Sequence, residues 1–254
     1  VRSSAELTDN VAGTQLSQPE LATDEWYPTT VRICGASTIG PYAYVAPSYW
    51  LKDKNMGGAF GFNTEVGPGI SLPPVDGLRL GLGGEAWPID KSWRYHAGPR
   101  LFDHLGRLNG VMKARYGAAK TIEDFEQKAQ LLAYEGHRAM YEAFRRNKDR
   151  QATGIVVWML NNAWHSLYWN LYDYDLRQGG AYYGVKKANR PQHLIYGYDD
   201  QSVVAVNSSL ESHVLTAKVR VFSLDSIERF AVDISVEPPP PQWSSASPGT
   251  ARCY

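Results

Sequence analysis

Glu65 is the residue of this chain whose surroundings most invite chemistry. It lies in Gly57-Gly58-Ala59-Phe60-Gly61-Phe62-Asn63-Thr64-Glu65-Val66-Gly67-Pro68-Gly69, a glycine-rich segment with no other charge. Ala59, Phe60, Phe62 and Thr64 suit a short buried strand over residues 58–65. Gly67, Pro68 and Gly69 stop it. A lone carboxylate where a buried strand opens into a Gly-Pro loop is how a parallel (β/α) barrel presents a catalytic group at its C-terminal face. Such a group could serve as nucleophile or general acid/base, attacking a sugar C1 to form a glycosyl ester. The alternative is a loop glutamate facing water, and the local pattern leaves both open.

Aromatic and amide side chains supply candidate sugar contacts. Trp158, at the expected end of the apolar run Ile155–Leu160, could stack on a sugar face or fill a core. Asn161 and Trp164 follow in the next loop and could line the same pocket, or cap the loop. Asn63 is a further substrate-binding candidate. Tyr42, Tyr44, Tyr49 and Trp50 could form an aromatic wall, with ordinary packing expected for at least two of them. The six histidines are scattered without ligand spacing, so neither a metal nor another cofactor is expected. No nucleophile-elbow, P-loop or dinucleotide motif occurs.

The 254 residues that must position these groups carry 26 basic and 26 acidic side chains. No basic field calls for nucleic acid, and no apolar run of membrane-spanning length occurs. The two cysteines, Cys34 and Cys253, form no metal-spaced cluster. The N-terminus has neither an initiator Met nor an apolar signal core, so an interior piece of a longer polypeptide is expected.

Residues 1–29 read as loop or weak helix, and Val31, Ile33 and Cys34 as a short strand ending at Gly35. Short helices are expected near 74–80 and 101–115. The best-defined element is a helix over Thr121–Asn147, with a capping box approximated by Thr121 and Asp124. Its buried stripe is Ile122, Phe125, Ala129, Leu132, Gly136, Met140 and Ala143. Arg145, Arg146 and Lys148 favour its C-terminal dipole. The run after Gly154 predicts a strand buried on both faces, followed by a short helix near Ala181–Asn189. Past Pro191, four short runs at 193–198, 202–207, 214–222 and 230–236 suit the beginning of an antiparallel sandwich. Asp199-Asp200 and Asn207-Ser208-Ser209 mark turns between them. The tail beyond Pro238 lacks periodicity, and the native reading frame is expected to end near Val236.

Several motifs carry a family likeness. Gly40-Pro41-Tyr42-Ala43-Tyr44-Val45-Ala46-Pro47-Ser48-Tyr49-Trp50, followed by the segment from Gly57 to Glu65, resembles glycoside hydrolase family 2, in its exo-β-D-glucosaminidase branch with β-mannosidase-like relatives. Lys128-Ala129-Gln130-Leu131 with Tyr134-Glu135-Gly136, Trp158–Trp164 and Gly180–Ala188 resemble the same branch. The resemblance implies an α/β fold: the C-terminal part of a (β/α)8 TIM barrel over residues 1–190, then the start of an immunoglobulin-like β-sandwich over 191–236, with an irregular tail at 237–254. It implies that Glu65 is the nucleophile of a retaining exo-β-glycosidase and that Trp158 helps wall the terminal sugar. The implied substrate is β-linked glucosamine at the end of chitosan oligosaccharides, with β-mannoside or β-galactoside as alternatives. The family's acid/base is a Glu preceded by Asn, and no Asn-Glu pair occurs here. A retaining glycosidase needs both carboxylates. The chain alone is therefore expected to be inactive, its partners being the carbohydrate and the missing N-terminal part of the same polypeptide. Relatives suggest secretion or a periplasmic location, which this sequence does not fix. A non-catalytic carbohydrate-binding module and a decayed gene fragment are the readings from other classes.

Overall fold

The computed structural model describes residues 36–37, 41–53, 57–84, 86–98, 105–148, 152–238 and 250–253. The expectations for residues 1–29 and for a strand at Val31–Cys34 lie outside them. Three parallel strands, β1 (Ala36–Ser37), β2 (Gly61–Val66) and β3 (Ala152–Val157), form one sheet in that order. A short helix, α1 (Tyr49–Lys52), precedes β2. Parallel neighbours need a long crossover, and the one from β2 to β3 carries α2 (Val75–Leu82), α3 (Lys91–His96), α4 (Leu105–Tyr116) and α5 (Ile122–Asn147).

Both longer strands are displaced from the stretches read in the sequence. β3 starts and ends earlier than the apolar run because Gly154 is interior to the strand rather than its boundary. A Cβ on Gly154 would lie 2.5 Å from Cε2 of Phe62, so glycine admits the ring of the neighbouring strand. The helix α3 had no counterpart in the sequence reading. Its N-cap is Asp90, whose carboxylate accepts from the amides of Ser92 and Trp93 at 2.9 and 3.3 Å.

The helix α5 matches its sequence pattern closely. Thr121 Oγ1 accepts from the Asp124 amide at 3.2 Å, and the Asp124 carboxylate accepts from the Lys120 amide at 3.0 Å. All seven stripe residues are buried. The N-terminal half of the stripe closes a core in which Phe125 meets the rings of Trp93 and Trp87 at 5.4 and 5.5 Å. The C-terminal half packs Ala139, Met140, Ala143 and Phe144 against Val66 and Ala152 of the sheet and Tyr49 and Trp50 of α1. Alongside lies α6 (Gly180–Ala188). A Cβ on Gly184 would stand 2.5 Å from the Tyr134 carbonyl oxygen, so the two backbones approach as only glycine permits.

Helices therefore cover one face of the sheet. The other leaves Phe62, Val156 and Trp158 between 41% and 49% exposed. This corrects the expectation of a strand buried on both faces.

After α6 the chain becomes antiparallel. The strands β4 (Gln192–Tyr196) and β5 (Val203–Asn207) pair as one hairpin, and β6 (Leu215–Phe222) and β7 (Glu228–Val236) as another. The tail, read as irregular, contains β8 (Thr250–Cys253), which pairs antiparallel with β5. Two polar links join α5 to the first hairpin. His193 Nε2 lies 2.6 Å from Glu142 Oε1, both side chains being buried. Arg146, read only as a dipole partner, is itself buried and binds Asp199 and, at 2.6 Å, Asp200 in the β4–β5 turn.

Candidate active site

The end of β2 is irregular, and the irregularity decides where Glu65 points. Asn63 pairs with Ile155 and Val66 with Val157, so three steps along β2 match two along β3. The extra residue is a β-bulge, a device that re-aims side chains at strand ends. In a regular strand Asn63 and Val66 would face opposite ways. Here both are fully buried, Val66 in the cluster packed by α5. Thr64 and Glu65 together oppose Val156, whose side chain is on the open face.

On that face the Glu65 carboxylate is half-buried and its Oε1 accepts a hydrogen bond from the Tyr42 hydroxyl. Tyr42 is held in turn by Trp169. The two rings lie 5.2 Å apart, and Trp169 Nε1 donates to the Tyr42 carbonyl. The neighbouring strand brings Trp158 to the same level, since its amide donates to the Val66 carbonyl at 2.9 Å. The Trp158–Met159 peptide is cis. Gly69, at φ +104°, turns the chain under Tyr44, whose backbone nitrogen would be 2.9 Å from a Cβ there.

The structure separates the other sequence candidates. Tyr42 bonds Glu65, and the Trp158 backbone is level with the residue that follows it. Tyr44 is instead buried in the core, its hydroxyl accepting from Arg115 Nη1 at 3.2 Å. Tyr49 and Trp50 are likewise core residues of the helical layer. Asn63 is fully buried, so it is a support beneath Glu65 rather than a sugar contact. Asn161 is exposed in the loop after β3. Trp164, 38% exposed in the same loop, packs on α3, its ring 5.1 Å from His96 and 5.5 Å from Tyr95. Sequence reasoning missed Trp169. Its signal was the Tyr168-Trp169 pair beyond Trp164, two large rings in what otherwise read as loop. Among the described residues no group of three or more His, Cys, Asp or Glu could hold a metal ion, and no helix is long and apolar enough to cross a membrane.

Known proteins resemble this arrangement in both sequence and fold. The exo-β-D-glucosaminidase of Streptomyces avermitilis is 40% identical over 207 residues, covering 77% of this chain and 23% of that protein. The crystal structure of the Amycolatopsis orientalis exo-chitosanase superposes with a TM-score of 0.70 at 38% identity, over 78% of this chain and 25% of that one. This chain is homologous to the exo-β-D-glucosaminidases of glycoside hydrolase family 2. A β-D-mannosidase from Dictyoglomus thermophilum, 18% identical, shares the fold with a TM-score of 0.61 over 83% of this chain and 24% of its own. No protein-family model matches. The chain spans about a quarter of the length of the glucosaminidases it matches. The family likeness drawn from the motifs is thus borne out, as is a mixed α/β fold.

Proposed function

We propose that this chain is the part of a retaining exo-β-glycosidase that carries the nucleophile, Glu65, and that the whole enzyme removes terminal β-linked glucosamine from chitosan oligosaccharides. On this reading β1–β3 are the last strands of a (β/α)8 barrel and the hairpins after Pro191 begin an immunoglobulin-like sandwich. One observation carries it: the Glu65 carboxylate is turned by a bulge onto the open face at a strand's C-terminal end, bonded to Tyr42 and level with Trp158. Homology to exo-β-D-glucosaminidases supports the reaction class and the aminosugar.

The chemistry is a double displacement. A Glu65 oxygen attacks the sugar C1 as the bond from C1 to the leaving oxygen breaks, and that oxygen takes a proton from a carboxylic acid supplied by upstream residues. Water, deprotonated by the same group, then attacks C1 and frees the Glu65 carboxylate. Tyr42 fixes the attacking carboxylate, and Trp158 offers an apolar wall to the sugar ring.

The test compares the 254-residue chain with a polypeptide that also includes its upstream residues. Aryl β-glucosaminide should be turned over only by the longer form, faster than aryl β-mannoside or β-galactoside, and Glu65→Gln should abolish turnover. Activity that survives Glu65→Gln would overturn the nucleophile assignment. Turnover by the 254-residue chain alone would overturn the external acid.

A further inference from the structure

We propose that Asn63 is a positioning residue for Glu65, clamping the bulge that aims the carboxylate; this rests on the reading of Glu65 as nucleophile. A bulge takes a backbone amide out of the strand ladder, and a buried amide without an acceptor is costly. Asn63 resolves this within three residues. Its Oδ1 accepts from the Glu65 amide at 3.3 Å, and its Nδ2 donates to the Gly57 carbonyl at 3.3 Å. The Gly57 end is itself anchored, its amide donating to Asp53 Oδ2 at 3.0 Å and to the Tyr49 hydroxyl at 3.2 Å. Asn63 is fully buried and Tyr49 nearly so, so the bonds from Asn63 Nδ2 to the Gly57 carbonyl and from the Gly57 amide to Tyr49 form away from bulk water, while the Glu65 amide bond is part-buried.

The clamp thus ties the reactive strand end to the helical layer on the opposite face. Without it the strand can regain regular pairing, and a one-residue slip would turn residue 65 toward the helices. The amide is suited to both jobs because it offers an acceptor and a donor. Aspartate keeps only the acceptor and adds a charge next to the nucleophile. Tyr42 holds the carboxylate end of Glu65, whereas Asn63 holds its backbone.

In the longer polypeptide, Asn63→Ala should lower kcat on aryl glucosaminide by about 10²-fold, the scale of an ångström's misplacement, with KM within about threefold. Asn63→Asp should move the acid limb of the kcat/KM profile upward, because a second carboxylate disfavours ionisation of Glu65. A kcat within twofold of wild type in Asn63→Ala, or an acid limb unmoved in Asn63→Asp, overturns the clamp. If Glu65→Gln abolishes turnover while Asn63→Ala does not slow it, the clamp alone fails. If Glu65→Gln remains active, the nucleophile reading fails and takes the clamp's role with it. Should Asn63→Ala not fold, amide hydrogen exchange in the unaltered protein decides. Protection at Glu65 supports the bond, and exchange at the rate of a free peptide overturns it.

Discussion

The two faces of the β1–β3 sheet are built from the same kinds of residue and meet different surroundings. On the covered face, Val66 and Ala152 are at most 1% exposed beneath α5 and α1. On the other, Phe62, Val156 and Trp158 keep more than two fifths of their surface accessible. The first face has the close packing of a finished core. The second presents apolar side chains around a carboxylate, which suits a surface that further strands or a sugar would cover. On the proposed function, stability and chemistry are separated by the thickness of a single strand, with Asn63 and Glu65 on either side of it.

That separation can be broken or sharpened by substitution. The largest effect belongs to the open face: Glu65→Gln in the longer polypeptide should reduce kcat by on the order of 10⁴-fold or more, the scale of losing a covalent nucleophile, while denaturant unfolding of the chain barely changes. A large loss of stability with little loss of rate would reverse the roles of the two faces. Next comes the helix packed on the covered face, where Met140→Ala in α5 should cost about 2–5 kcal/mol in urea unfolding through the cavity it leaves.

A third effect comes from the same helix. His137 is fully buried, its Nδ1 facing the Ala133 carbonyl at 2.9 Å and its Nε2 without a partner. Burial pushes its pKa down to about 4. The unfolded chain takes up this proton near the ordinary value of 6.5 while the folded one resists it. The contribution to stability is therefore complete above that value and is lost as pH falls toward 4, by on the order of 3 kcal/mol. Unfolding free energies between pH 7 and 4 should show this slope, and His137→Leu should flatten it. The smallest effect is expected for Val156→Thr on the open face, within about 0.5 kcal/mol. A cost above 2 kcal/mol would mean that this face is already packed.

Much of the fold was legible because it follows from local pattern. The stripe from Ile122 to Ala143 has helical period and turned out buried throughout. Thr121 capped the helix as its spacing required, while the Asp124 carboxylate took the Lys120 amide in place of the Thr121 amide of a capping box. The hairpins after Pro191 showed as short runs between turn signals, and Asp199-Asp200 is a turn. The failures share a cause. Gly154 read as a strand boundary because its reason for being glycine, the ring of Phe62, lies on another strand. Tyr42 and Tyr44 share one loop and one side-chain type, and only the positions of Trp169 and Arg115 send one to Glu65 and the other to the core. The strand at Thr250–Cys253 has no period of its own and forms by pairing with β5.

The sequence by itself determined that a lone carboxylate ends a glycine-rich strand, that a 26-residue amphipathic helix follows, and which family the motifs belong to. Tertiary structure decided which way the carboxylate points. Facing along a strand alternates with a period of two, so one inserted residue reverses it, and whether a residue is inserted depends on the register of the partner strand. That partner, β3, lies some ninety residues away, beyond the reach of any local pattern around Glu65.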